Sequence, residues 1–325
     1  MKRRDFLRKS TAAVAGLAAS QGLLPPLAAS EPVPAAGRTI PRRPLGKTGE
    51  HLSIIGMGGI VVMDVSQSFA NNIVAEASDR GINYVDIAPS YGNAQERMGP
   101  ALKPYRNRVF LACKEIARDR AGAGKELEES LRQLQTDHFD LYQLHALTTV
   151  AEVHQALGPG GAIEAFVAAK QAGKIRFLGF SAHSVEAALI AMDQFDFDTV
   201  LFPINFVMYS QANFGPQIVQ RAREKQMGMM GIKAMAKTLW PASEKKHHPY
   251  SKCWYKPTTL PKQAALALRW TLSQPIAAAI PPGEIEYFRL AMDVAQRFTP
   301  VNEDETKTLM AQARGLQPLF HLGSA

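Results

Sequence analysis

Asp86, Tyr91, Lys114 and His145 have the types and the placement to move a proton together. Asp86 and Tyr91 lie in YVDIAPSYGNAQERMG (84–99), Lys114 in LACKE (111–115) and His145 in DLYQLH (140–145). A tyrosine phenol has an ordinary pKa of about 10 and is a poor acid at neutral pH. A neighbouring ammonium favours the phenolate and lowers that pKa. A carboxylate paired to the lysine keeps it charged and in place. An imidazole beside the phenol can hydrogen-bond a substrate oxygen and orient it. Such a set suits general acid catalysis while hydride adds to a carbonyl, and several donors on one oxygen stabilise a developing alkoxide. Taken singly the residues read more plainly: Asp86 as a helix cap, Tyr91 as core or surface, His145 as a structural histidine. Lys114 is the exception, because a lysine inside an apolar strand is costly unless paired.

These residues span about 60 positions, so the fold must bring them together. Short apolar, β-branched runs recur at 53–57, 82–87, 108–113, 139–144, 175–180, 199–204, 227–233 and 276–280. Between them lie segments with helical spacing, at 67–80, 125–135, 163–172, 185–194, 214–225, 262–273 and 284–298. Strand and helix alternating eight times predicts an α/β fold, a (β/α)8 TIM barrel with parallel strands. The C-terminal strand ends of such a barrel converge on one mouth. Asp86, Lys114 and His145 end the second, third and fourth predicted strands. An open doubly wound sheet is the competing architecture, but Ile55-Gly56-Met57-Gly58-Gly59 lacks the G-x-G-x-x-G spacing it requires. Residues 43–45 and 51–53, joined by Gly46-Lys47-Thr48-Gly49, read as an N-terminal β-hairpin plugging the barrel floor. A long loop at 236–261 follows the seventh strand. It reads either as a solvated excursion or as a lid with Trp240, Trp254 and Tyr255 lining the pocket.

The 325 residues are 46% hydrophobic and 20% charged, typical of a chain with a sizeable core. Past the N-terminus no apolar run reaches the ~20 residues that span a bilayer. Of the net charge of +8, residues 1–30 carry half, through Lys2, Arg3, Arg4, Arg8 and Lys9 against Asp5. The remainder lacks the clustered basic face of a nucleic-acid binder. Residues 1–30 have the basic start, weakly apolar middle and small cleavage residues of a secretory signal. Cleavage after Ala29 or Ser30 fits, and Arg3-Arg4-Asp5-Phe6-Leu7 resembles a twin-arginine export motif. The translocon of that route is therefore an expected partner, and the periplasm the expected location. Residues 31–41 read as a Pro/Ala-rich linker, and 42–325 as the barrel domain. Two cysteines rule out a disulfide framework or an iron–sulfur cluster. If Lys114 faces the barrel interior, Cys113 faces the helix layer, so Cys113 and Cys253 read as separate thiols. No metal site is expected. Only His145 and His183 stand at strand ends, and adjacent His247 and His248 rarely converge on one ion.

Taken together, these motifs resemble the aldo/keto reductase superfamily across residues 42–298. RRPLGKTGEHLSIIGMGG is similar to its hairpin and first strand. Asp86, Ala88, Tyr91, Gly92, Glu96 and Gly99 match its D-x-A-x-x-Y-G-x-x-E-x-x-G signature. LACKE supplies its lysine, LEESLRQLQTDHFDLYQLH its histidine, and GKIRFLGFS resembles its fifth strand. The resemblance implies Tyr91 as proton donor, Asp86 and Lys114 tuning it, and His145 orienting the substrate. It implies a nicotinamide cofactor, NADP(H) or NAD(H), bound across the barrel mouth. Ser181 is then the hydrogen-bond partner of the carboxamide, followed here by Ala182 and His183 where the family has Asn. Asn205 takes the place of a family Gln, and Lys233 walls the nicotinamide. Gly283 and the following helix N-terminus receive the adenosine phosphate, with Arg289 one turn further on.

The function expected is hydride transfer between NAD(P)(H) and a small carbonyl or alcohol. The alternative is a nucleotide-binding sensor of the same fold with little turnover. Export raises a problem of supply, since free NADPH is not expected outside the cytoplasm. A folded, cofactor-loaded barrel recycling its nucleotide in place would resolve it.

Overall fold

The structure is a computed structural model and describes residues 39–322. The expected export signal at 1–30, and the linker as far as residue 38, lie outside the described residues. Strands β1 (Arg42–Pro44) and β2 (His51–Ser53) form an antiparallel hairpin. The main sheet then runs through β3 (Met57–Gly58), β4 (Tyr84–Asp86), β5 (Phe110–Glu115), β6 (Phe139–Leu147), β7 (Ile175–Ala182), β8 (Thr199–Pro203) and β9 (Gly228–Ile232). A small antiparallel ladder of β10 (Ala236–Thr238) and β11 (Lys256–Pro257) intervenes before the last main strand, β12 (Ala278–Ile280). The eight main strands are parallel and neighbour one another in chain order. A parallel bridge from Ile55 to Ala279 brings the first beside the last and closes the (β/α)8 barrel.

Helices α1 (Gln67–Asp79), α2 (Ala94–Leu102), α3 (Arg120–Leu134), α4 (Val150–Leu157), α5 (Ala162–Gln171) and α6 (Val185–Gln194) connect the earlier strands. Helices α7 (Phe206–Ala212), α8 (Pro216–Glu224), α9 (Pro261–Leu272), α10 (Ile285–Gln296) and α11 (Glu303–Ala313) complete the chain. Strand alternation divides the core in two. Tyr84, Phe110, Ala112, Leu141, Leu201 and Met230 face inward. Val85, Leu111, Cys113, Tyr142, Phe180 and Val200 pack outward in the strand–helix layer. The period of two carries this inward face up to Asp86, Lys114, Gln143 and Ser181 at the mouth. Cys113 and Cys253 are buried and unbridged.

The hairpin begins at Arg42 rather than Arg43, because Leu45 leaves the ladder and inserts into the barrel floor beside Leu52. The turn after it passes backbone to backbone against β9: Lys47 N donates to Gln226 O over 3.0 Å. Gly46 has φ +53°, and a Cβ there would lie 2.3 Å from Gly228 N. Gly46→Ala is expected to destabilise the fold by more than about 1 kcal/mol, since both the left-handed backbone and the approach of β9 oppose a side chain. A denaturant midpoint equal to that of wild type would remove the floor contact from this account.

The first barrel strand is Met57–Gly58 rather than the expected 53–57: Ser53 belongs to the hairpin, and Ile55 makes only a single bridge to Ala279. The third and fourth reach beyond their expected ends, to Glu115 and Leu147. The 236–261 segment folds over the barrel mouth rather than into solvent. Lys252 N donates to Glu284 Oε1 over 2.6 Å, and Lys252 Nζ to Val61 O over 2.8 Å.

Candidate active site

At the C-terminal mouth a cavity of about 240 Å³ is lined by Asp86, Tyr91, Lys114, His145 and Ser181. It extends past Lys233 to Pro281, Pro282 and Gly283. Asp86 and Lys114 form an ion pair, both nearly fully buried. Burial alone would make that pair expensive, and further hydrogen bonds are what offset the cost. Tyr84 Oη donates to Asp86 Oδ2 over 3.2 Å, and Gln143 Nε2 donates to the same oxygen over 3.0 Å. Burial tends to lower the Lys114 pKa, but the Asp86 charge outweighs it and holds the ammonium above its ordinary range.

Lys114 Nζ lies 3.4 Å from Tyr91 Oη and 5.2 Å from the centre of the Tyr91 ring. The phenol nevertheless moves the opposite way from the sequence expectation. Burial raises its pKa, Lys114 opposes that, Asp86 adds to it, and the net shift is upward. That direction favours the protonated phenol at neutral pH.

The His145 ring stands edge-on to Tyr91, with centroids 5.9 Å apart at 83°. A register shift in β6 between Leu144 and Leu147 re-aims the chain here, as bulges beside active sites do. Ala146 takes φ +53°. The distortion is held from both sides: Ser181 Oγ accepts from Ala146 N over 2.7 Å, and Arg118 Nη2 donates to His145 O over 2.5 Å. Burial first, and the Lys114 charge second, push the His145 pKa down to about 3, so the imidazole is neutral.

Of the positions carried over for a cofactor, Ser181, Lys233 and Gly283 line the cavity; Asn205 and Arg289 do not. Asn205 is buried as the cap of α7. Its Oδ1 accepts from Val207 N and Met208 N, and its Nδ2 donates to Lys233 O and Ala236 O. Arg289 faces α1, with Nη2 2.9 Å from Glu76 Oε2. Trp254 and Tyr255 line the cavity as the lid reading expected. Trp240 does not: it stacks on His248 and donates to Cys253 O, bracing the segment. Sequence reasoning missed Tyr84, Gln143 and Lys252. The first two were readable, since each lies two residues before a named residue on the same strand face. Lys252 had no local signal. A wider cleft at the opposite end of the barrel is lined by Arg42, Arg106, Arg108 and Arg176, with Arg106 and Arg176 tied to Asp140. Among the described residues no cluster of His, Cys, Asp or Glu could hold a metal ion.

The fold and site define a closed parallel (β/α)8 barrel with a buried Asp86–Lys114 pair, Tyr91 and His145 grouped at its C-terminal mouth. Residues 54–283 match the Aldo/keto reductase family, and the chain belongs to it. Aldo-keto reductase YhdN of Bacillus subtilis is 32% identical over 161 residues, covering 44% of this chain and 47% of that protein. The chain thus spans about half the length of the curated relatives it matches. Solved structures match over nearly their whole length. A holo aldo-keto reductase from Bacillus halodurans superposes with a TM-score of 0.68 at 22% identity, over 88% of this chain and 99% of that one. An aldo/keto reductase from Klebsiella pneumoniae, in complex with NADP and acetate, gives 0.65 at 20% identity, over 85% and 98%. At these identities the two structures speak for the fold.

Proposed function

We propose that this chain is an NAD(P)(H)-dependent reductase that transfers hydride between a nicotinamide and a carbonyl or alcohol carbon of a small molecule. The observation that carries the reading is the Tyr91 hydroxyl, 3.4 Å from Lys114 Nζ, its ring edge-on to His145, in a cavity that continues to Gly283. The residues present fit the nicotinamide end of such a cofactor. The Ser181 hydroxyl accepts from Ala146 N and keeps its own proton free for a carboxamide oxygen. The adenosine end is less well matched: Arg289 is engaged with Glu76 rather than offered to a 2′-phosphate. NADP bound in the Klebsiella pneumoniae structure supports a nicotinamide dinucleotide.

When bound, the nicotinamide supplies or accepts the hydride. In the reductive direction Tyr91 gives its proton to the carbonyl oxygen as negative charge develops there. Lys114 stabilises the phenolate left behind, and Asp86 keeps Lys114 charged. Neutral His145 donates one ring N–H to the same oxygen and fixes its direction. In the oxidative direction the same groups run in reverse.

Export by the twin-arginine route, with cofactor loaded before translocation, belongs to the same proposal. It is supported by Arg3-Arg4 and the signal-like segment behind them. The test is nucleotide analysis of the protein recovered from each cell fraction, followed by turnover with small aldehydes. The expected result is periplasmic protein carrying a nicotinamide nucleotide that it oxidises and reduces. Cytoplasmic retention of the full chain would sink the export reading. Failure of the purified protein to bind either nucleotide would sink the reductase reading.

A further inference from the structure

The cavity is more cationic than carbonyl reduction alone requires. Asp86 is the one carboxylate among its lining residues, and Lys114, Tyr84 and Gln143 already use it. Lys252 also lines the cavity, but its ammonium is turned to Val61 O. Lys233 is different. It sits directly after β9 with φ +68°, and its ammonium lies 5.3 Å from the Trp254 ring centre and 5.2 Å from that of Tyr255. Its ammonium makes no hydrogen bond or ion pair with any described residue. Burial pushes its pKa down to about 8, with the Lys114 charge adding to the effect.

His183 lines the same cavity, and its ring stacks on Phe320 at 4.8 Å without a hydrogen bond. Lys233 is near enough to depress both His183 and His145 electrostatically. Lys233, His183, His145 and Tyr91 all line this one cavity. Taking part of its hydration from an ammonium that has no acceptor among the described residues carries a cost. Two aromatic faces recover only part of that cost. An anion arriving with the substrate would recover more.

Resting on the reductase reading above, we propose that Lys233, seconded by His183, binds a carboxylate carried by the substrate, so that the preferred substrates are oxo acids whose carbonyl reaches Tyr91. The lysine sets which carbonyl compounds are held, and Tyr91 and His145 act on the carbonyl itself. His183 is neutral, so it contributes a ring N–H rather than a second charge.

The test compares 4-carboxybenzaldehyde with 4-nitrobenzaldehyde in wild type, Lys233→Met and Lys233→Arg. A charge-assisted hydrogen bond of ordinary strength predicts that the kcat/KM ratio of acid to nitro substrate falls about ten- to hundredfold in Lys233→Met. The fall should sit in KM and be largely restored in Lys233→Arg. Benzoate binding to the nucleotide complex, measured by calorimetry in parallel, reads the same contact without turnover and should weaken similarly. An unchanged ratio with unchanged benzoate affinity overturns the proposal. So does a loss confined to nucleotide affinity, which would assign Lys233 to the dinucleotide. Wild-type protein that binds nucleotide and benzoate but reduces neither aldehyde would count against the reductase reading and leave the carboxylate contact standing.

Discussion

Tyr91→Phe is expected to lose carbonyl reduction by about 10²–10⁴-fold, the usual worth of a positioned general acid, while nucleotide affinity stays near that of wild type. Phenylalanine keeps the ring that stands edge-on to His145 and beneath the Lys114 ammonium. What is removed is the hydroxyl. The Asp86–Lys114 pair keeps its Tyr84 and Gln143 hydrogen bonds, so the mouth should hold its shape, and thermal unfolding of the variant is the control. The phenol pKa lies above its ordinary value because burial outweighs the Lys114 charge. Wild-type reduction should therefore show no loss of the acid through the neutral range and fall only on the alkaline side, above pH of about 10. His145, neutral down to pH of about 3, adds no step of its own between pH 5 and 8. Turnover in Tyr91→Phe equal to wild type would take the acid role from Tyr91. Nucleotide binding without turnover in the wild type as well would favour the sensor reading.

The fold was legible because hydrophobic periodicity changes between strand and helix eight times, and because strand alternation is strict on the inner face. That alternation also placed Asp86, Lys114 and His145 at one mouth and Cys113 outside it. The elements that went unread are those whose signals are weak or broken. Helix α2 contains Gly99 and Pro100, which argue against a helix on propensity alone. Helix α4 is absent from the segments with helical spacing because it is only two turns long, although Thr149 and Glu152 form a capping box at its start.

The upward shift of Tyr91 could not be read from spacing. Spacing places the ammonium near the phenol, but the depth of burial decides the sign. Asn205 and Arg289 came from the resemblance rather than from local physics, and each has local work. Asn205 caps α7 and ties it to the turn after β9. Arg289 joins α10 to α1 through Glu76.

Glu115, next to Lys114 on the outward face of β5, is the second place where a large effect is expected. Its carboxyl is fully buried, and among the described residues neither oxygen has a hydrogen-bond partner. The nearest cation, Arg118 Nη1, is 3.9 Å from Oε1, too far for a hydrogen bond. Burial pushes the Glu115 pKa up to about 9; Arg118 opposes the shift, and Glu126 and Asp119 reinforce it. The folded chain therefore holds a proton that the unfolded chain releases near pH 4.5. Between those two values the folded state binds more protons, so stability falls as pH rises through the window. It is fully present below about 4.5 and lost progressively towards 9. Glu115→Gln keeps the shape and the neutral state without the proton. Each unit of pKa separation is worth about 1.4 kcal/mol, and allowing for relaxation the variant should gain on the order of 2 kcal/mol at pH 8. The gain should shrink to almost nothing near pH 5. Denaturant unfolding across that range reads it directly. A gain independent of pH would mean that Glu115 is not the linked group, and a loss at pH 8 would mean that its charge is present and paired with Arg118. The second outcome would reach the mouth as well. Arg118 holds the His145 carbonyl through Nη2, so a change in its pairing with Glu115 would be felt at His145.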